Sequence, residues 1–346
     1  MNFLMRALVR AMVKRSDAAL IKACGGAARE AGGRTLDPRF QFLEHQARQR
    51  PMPDAVTPEM VRAQTRQMVE LFGGKRERGV TTEAIAIPAE LVRSIPARLY
   101  HPAKRNTAMG VLVYYHFGGG VIGDLDTCDA FCSILANALE GPVLSIDYRL
   151  APEHPWPAGL EDAIAAYRWA AANADRLGAA RGRIAVGGDS MGGNFSAIVA
   201  QEMKRTDGPR PDLQLLIYPA TDLVTETPSL TTYADAFPLT RETMDWFMAN
   251  YLPAGQDPGE PRISPGREPD LTGLPPALIY TAGFDPLVDQ GAAYAQKLSA
   301  AGVETSYHCF DTLAHGFTAF TGVIPAADAA CRRMAREAAD FLRKLS

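Results

Sequence analysis

Eight short runs of strand character constrain this chain most, because the later ones alternate with segments of helical pattern. They are Glu83 to Ile87, Ile95 to Tyr100, Val111 to Tyr115, Val143 to Tyr148, Ile184 to Gly187, Leu213 to Tyr218, Ala277 to Thr281 and Thr305 to Phe310. From the third run onward the connections carry helical patterns, such as Gly159 to Ala174 and Asp289 to Ala301. Near-continuous apolar strands linked by helices predict the α/β class: a mostly parallel sheet covered on both faces. With 346 residues, 47% of them hydrophobic, the chain can bury a large core, which excludes disorder. A formal charge of -3 and no Lys/Arg cluster with interleaved aromatics exclude nucleic acid as an expected partner.

The alternation is missing in two places. The first eighty residues are helical in pattern, with Thr57 as an N-cap, Pro58 at the first helical position and an apolar stripe to Leu71, stopped by Gly73-Gly74. Between Tyr218 and Ala277 a capped helical segment, Thr240 to Phe247, sits in a Pro-rich stretch too long for an ordinary crossover. The expected organisation is a helical cap region over 1-75, an α/β unit from 76-219 and 264-346, and a cap insertion over 220-263. The opening segment is basic and amphipathic, with Leu4, Leu8 and Met12 on one face. Arg6 and Arg10 interrupt any secretory core, and no window is long enough to span a bilayer, so no stable membrane insertion is expected. A helix packed on the protein or on a second copy fits better, which makes a homodimer a candidate assembly. Five cysteines, Cys24, Cys128, Cys132, Cys309 and Cys331, lack paired or zinc-like spacing and read as reduced thiols in a cytoplasmic protein.

Chemistry enters at Gly188-Asp189-Ser190-Met191-Gly192, a Gly-x-Ser-x-Gly between an apolar strand and a helix of small residues. That context marks a nucleophile elbow, so Ser190 is the candidate nucleophile. A serine hydroxyl needs a base, and the base needs an orienting acid. Asp285 and His315 both lie just beyond strand-like runs, at the carboxyl edge of the sheet where Ser190 also falls. The order Ser, Asp, His is that of α/β hydrolases. Asp289 reads as a helix-start residue, His308 sits inside a strand pattern, and His45, His101 and His154 lie outside any loop that pairs with Ser190. An anion formed at the reacting carbon needs donors, and His116-Phe117-Gly118-Gly119-Gly120 follows the third strand where such a loop belongs. Gly118 and Gly119, with the N–H of Met191, are the candidate oxyanion hole. Phe117, Gly120 and Asp189 are candidates for the substrate pocket. No Gly-Lys-Ser/Thr follows the glycines, so a phosphate loop is not indicated, and no metal site is expected.

Taken together, His116 to Gly120, Asp147 to Ala158, Gly188 to Gly193, Asp285-Pro286-Leu287 and His315-Gly316-Phe317 resemble the hormone-sensitive-lipase-like (family IV) bacterial esterases, over roughly residues 36 to 346. The resemblance implies an α/β-hydrolase fold with a helical cap, and hydrolysis of small carboxylic esters, usually of short acyl chains, without a cofactor. It also implies that the Asp147 to Ala158 segment is a scaffold behind the oxyanion loop. Two departures stand out. Phe117 replaces the first glycine of the usual His-Gly-Gly-Gly, with Gly120 where an aromatic is usual, and Met191 replaces the usual alanine after the nucleophile. The expected activity is a serine carboxylesterase acting on a small-molecule ester. An amidase, an aromatic-monoester hydrolase and a non-catalytic ligand receptor are the alternatives.

Overall fold

A computed structural model describes residues 10-49, 56-89 and 93-345. Helix α1 (Asp17–Ala23), the short antiparallel pair β1 (Glu30–Ala31) and β2 (Arg34–Thr35), α2 (Pro38–Arg48) and α3 (Pro58–Phe72) precede the sheet. Then follow β3 (Thr81–Pro88), β4 (Ser94–His101), β5 (Val111–Tyr115), α4 (Asp129–Leu139), β6 (Val143–Ile146), α5 (Ala158–Ala172), α6 (Ala174–Leu177), β7 (Ile184–Asp189) and α7 (Met191–Arg205). The chain closes with β8 (Gln214–Ile217), α8 (Pro228–Thr232), α9 (Arg241–Tyr251), β9 (Ala277–Phe284), α10 (Val288–Ala300), β10 (Thr305–Ala314) and α11 (Pro325–Arg343).

All eight runs read from the sequence are strands of one sheet, in the order β10-β9-β8-β7-β5-β6-β4-β3. Neighbours from β10 to β6 run parallel, while β4 is antiparallel to both β6 and β3. The side-chain period of two explains how one strand serves two cores. Val111, Val113 and Tyr115 of β5 pack with α5 and α7, whereas Leu112 and Tyr114 pack on the other face with α4 and α11. The short pair β1/β2 is an element the sequence pattern did not reveal, since two residues per strand give no periodicity to read.

Two local sequence signals fold as expected. Thr57 caps α3, its Oγ1 accepting from the Met60 N–H at 3.4 Å, with Pro58 in the first turn and Gly73 after the last. Thr240 caps α9 through the Thr243 N–H at 3.0 Å. Leu4 and Leu8 of the opening stripe lie outside the described residues. Met12 and Val13 pack against the core, and Arg10 donates to the Leu71 carbonyl near the end of α3 at 2.8 Å. After β5 the chain passes to β6 on one side, then crosses to β7 on the other. The loops that leave β5 and β7 therefore stand side by side at the point where the sheet order reverses, the usual ligand crevice of such sheets.

Candidate active site

Ser190 follows β7 directly and precedes the first residue of α7. Its backbone holds φ 56° and ψ -116°, a strained turn that only a tightly packed surround sustains. The surround is visible at the two motif glycines. A Cβ on Gly188 would meet the Tyr115 carbonyl at 2.5 Å, and one on Gly192 would strike the same oxygen. Glycine here is a requirement of β5 passing close by, in addition to any need of the turn itself.

His315 follows β10 and reaches back across the strand ends. Its Nε2 lies 2.9 Å from Ser190 Oγ, and its Nδ1 lies 2.7 Å from Asp285 Oδ2. Asp285, fully buried just past β9, has its other oxygen occupied by the Leu287 N–H at 2.8 Å. The sequence reading thus brings together the three residues it named. Its rivals lie elsewhere. Asp289 accepts from the Ser229 N–H at 2.8 Å, His308 faces Arg333, His101 faces Glu83 and His45 faces Gln49.

The glycine loop turns beneath helix α9. Gly118, Gly119 and Gly120 all have positive φ, of 126°, 62° and 73°. Among the described residues, the N–H groups of Gly118 and Gly119 donate to no backbone carbonyl, and both residues line the same cavity as Ser190 and Met191. Met191 N–H stands at the first position of α7, where a helix leaves its donors unsatisfied and carries partial positive charge. The structure adds a second reason for glycine. A Cβ on Gly119 would press into the Phe247 ring at 2.5 Å, and one on Gly120 into the Tyr251 ring at 2.5 Å. Both rings belong to α9, so the loop is bare partly because that helix lies on it.

Two pocket candidates are corrected. Gly120 does not line the cavity, since Tyr251 covers it. Asp189 does not line it either. Alternation along β7 turns its side chain under the sheet edge, where it is 1% exposed and its Oδ2 accepts from Tyr218 Oη and Thr318 Oγ1, each at 2.8 Å. Burial drives its carboxyl above the usual range, and the hydroxyls of Tyr114, Thr318 and Tyr218 oppose that rise. The result is a brace. Thr318 sits on the loop that carries His315, and the Tyr218 ring lies 4.7 Å from the imidazole. Neither Tyr218 nor Thr318 was legible as a site residue, because no motif links positions a hundred residues apart. Phe117 lines the cavity.

Behind the loop, Tyr148 donates to the His116 carbonyl at 2.7 Å and stacks on its ring at 4.2 Å. His116 Nδ1 meets the Phe117 carbonyl at 2.7 Å, and burial holds this imidazole down to about 4, so it is neutral. Arg149 and Arg93 both pair with the buried Asp162. Arg62 of α3 donates to the Val121 and Ala151 carbonyls, each at 2.8 Å, and forks onto Glu153. These contacts tie the Asp147 to Ala158 segment to the loop and to the helices above. Among the described residues no group of His, Cys, Asp and Glu suits a metal ion, and no helix is long and apolar enough to cross a membrane.

A parallel sheet with a strained serine elbow, a histidine and a carboxylate aligned on it, and bare N–H groups facing the same cavity define an α/β hydrolase. Comparison with known proteins gives the same family. Residues 112–319 match the family described as alpha/beta hydrolase fold. The carboxylic ester hydrolase LipN of Mycobacterium tuberculosis is 45% identical over 294 residues, which is 82% of this chain and 77% of that protein. The carboxylesterase NlhH of the same species is 46% identical over 244 residues, covering 69% and 76%. Among solved structures, the thermophilic carboxylesterase EstE1 from a metagenomic library superimposes with a TM-score of 0.79 at 36% identity, covering 84% of this chain and 99% of that one. The chain belongs to the α/β-hydrolase family, in its hormone-sensitive-lipase-like branch.

Proposed function

We propose that the chain is a carboxylesterase that cleaves small carboxylic esters through an acyl-enzyme on Ser190. His315 Nε2 takes the Ser190 proton as Oγ adds to the ester carbonyl. The Gly118, Gly119 and Met191 N–H groups stabilise the oxyanion, and His315 returns the proton to the leaving alcohol as the C–O bond breaks. Water then adds to the acyl-enzyme by the same route, releasing the acid and restoring Ser190. Asp285 holds the imidazole with Nε2 free to accept. The observation that carries this reading is the unbroken chain from Ser190 Oγ through His315 to Asp285 Oδ2, at 2.9 and 2.7 Å, opening on a cavity with unsatisfied N–H groups. The protein's own groups and water balance every step.

Hydrolysis of a p-nitrophenyl short-chain ester by the wild type, with loss of roughly a million-fold in Ser190→Ala, tests it. Retention of most activity in that variant overturns it. Turnover of a matched amide as fast as the ester would make the chain an amidase, and binding without turnover would make it a receptor.

We assign 1-75 and 220-263 to a cap and 76-219 with 264-346 to the catalytic unit. The lining of the cavity supports this, with α2, α3 and α9 opposite the strand-end loops. Five unpaired thiols support a reducing compartment, the cytoplasm. The reading involves no nucleic acid, and sedimentation decides between a monomer and a homodimer.

A further inference from the structure

Ser190 and His315 stand on loops of different strands, and a second set of contacts joins those loops beneath the pair. Asp189, the last residue of β7, precedes Ser190, and Thr318 lies in the turn Phe317–Phe320 just past His315. Asp189 Oδ2, Thr318 Oγ1 and Tyr218 Oη form a closed triangle. The carboxyl oxygen lies 2.8 Å from each hydroxyl, and the two hydroxyls lie 2.6 Å from each other. Tyr218, just beyond β8, holds φ 34°, a conformation rare for an aromatic residue, and its ring stands 4.7 Å from the imidazole of His315. Backbone strain of this kind persists only where the surround imposes it.

Each side of the triangle is short enough to need a proton between its oxygens. Two hydroxyls supply two protons for three sides. An ionised Asp189 therefore leaves one side with lone pairs in contact. A carboxylic acid completes a ring: Asp189 donates to one hydroxyl, that hydroxyl to the other, and the other back to Asp189. The surroundings favour the same state. Asp189 is 1% exposed, its Oδ1 has no partner, and among the described residues no Lys or Arg pairs with it. The titratable groups around it are Tyr114 of β5, Cys132 of α4, Tyr148 beyond β6, Tyr218, Cys331 of α11 and His315. Burial pushes the tyrosines and thiols well above their usual ranges, so they are neutral. A carboxyl isolated in such a place gives up its charge by keeping a proton.

Resting on the esterase reading, we propose that Asp189 is a positioning residue that works as a carboxylic acid: its proton closes the ring with Thr318 and Tyr218, and the ring fixes His315 against Ser190 from beneath. Ser190 Oγ loses its bond to His315 once it is acylated, whereas the ring remains, so the imidazole stays in place for the attack of water. The neutral form also protects the base. A second negative charge beside His315 would favour the imidazolium, which cannot accept the serine proton.

The experiment measures kcat and KM on p-nitrophenyl acetate across pH for the wild type, Asp189→Asn, Thr318→Val and Thr318→Ser, with the thermal melting of each. Asp189→Asn removes any charge and keeps the shape, so the acid limb of kcat/KM should stay within about 0.3 pH units of the wild type. Thr318→Val opens the ring, and should lower kcat about tenfold or more while KM moves less than about threefold. Thr318→Ser keeps the hydroxyl and should hold kcat within about threefold of the wild type. A downward move of the acid limb by about half a unit or more in Asp189→Asn reveals an ionised carboxylate and overturns the inference. So does a Thr318→Val enzyme with wild-type kcat, or a Thr318→Ser enzyme as slow as Thr318→Val; these two variants leave Asp189 untouched and carry the test where Asp189→Asn does not fold. Full activity in Ser190→Ala on the same ester overturns the esterase reading, which none of the other outcomes does.

Discussion

The floor and the roof of the cavity are built on different physics. The floor consists of loops leaving parallel strands. Ser190, Asp285 and His315 are at most 8% exposed, fixed by hydrogen bonds of 2.7 to 2.9 Å, and set on backbone so close-packed that glycine is obligatory at Gly188 and Gly192. The roof consists of helices α2, α3 and α9, contributing mostly half-buried apolar side chains, several of them methionines. The floor has directional bonds with little tolerance. The roof has non-directional contacts that can yield. A reaction needs reacting atoms placed within fractions of an ångström, whereas accepting varied substrates needs walls that adjust, and the fold assigns each demand to a separate region.

Substitutions can break that contrast, and the largest effects belong to the floor. Ser190→Ala should lower kcat by roughly a million-fold with folding intact, read by steady-state kinetics and thermal melting. Asp285→Asn should lower it about ten-thousand-fold, because the amide stabilises the wrong imidazole tautomer while keeping the shape. Gly119→Ala is the case where floor and roof touch. It places a methyl against Phe247 in a backbone with φ 62°, and should reduce kcat by about a hundred- to a thousand-fold, measured on one ester at saturation.

A fourth prediction concerns stability at the back of the floor. His116 is held neutral down to about 4 from a reference of 6.5, so its contribution is intact above 6.5 and is lost as pH falls from there through 4. The wild type should lose about 3 kcal/mol relative to His116→Phe over that interval, read by denaturant titration at several pH values. Asp147, pushed up to about 6 by burial and by Asp124, acts with the opposite sign but is common to both proteins and cancels. The smallest effect belongs to the roof. Met244→Ala should change kcat on a small ester less than about threefold while raising KM for larger apolar esters. An equally large loss for small and large esters would show that the roof is as rigid as the floor.

Sequence alone disclosed every strand of the main sheet, since period-two and continuous apolar runs are local signals. It misjudged their ends: β6 stops at Ile146 and β8 at Ile217, short of the runs read, whereas β9 runs on to Phe284 and β10 to Ala314, which places Asp285 and His315 directly at the strand tips. It named the serine, the aspartate and the histidine because each lies in a loop after a strand. In a parallel sheet all such loops emerge at one edge, so order along the chain becomes proximity in space. It misplaced Asp189 and Gly120 because adjacency to a motif does not fix the direction of a side chain. A strand turns Asp189 under the edge, and a ring from 131 residues further along covers Gly120.

What the sequence determined by itself was therefore whatever depends on neighbours along the chain: strand and helix type, the caps at Thr57 and Thr240, and the ordered set Ser190, Asp285, His315. What only the tertiary structure decided was whatever depends on segments far apart: the brace of Asp189 with Tyr218 and Thr318, the pressing of α9 on the glycine loop, and a cavity walled from Met12 to Phe320. Packing contacts are short-ranged and indifferent to sequence separation. No pattern along the chain encodes which apolar side chains meet, and the shape of the cavity exists only where helices α2, α3 and α9 pack over the strand-end loops.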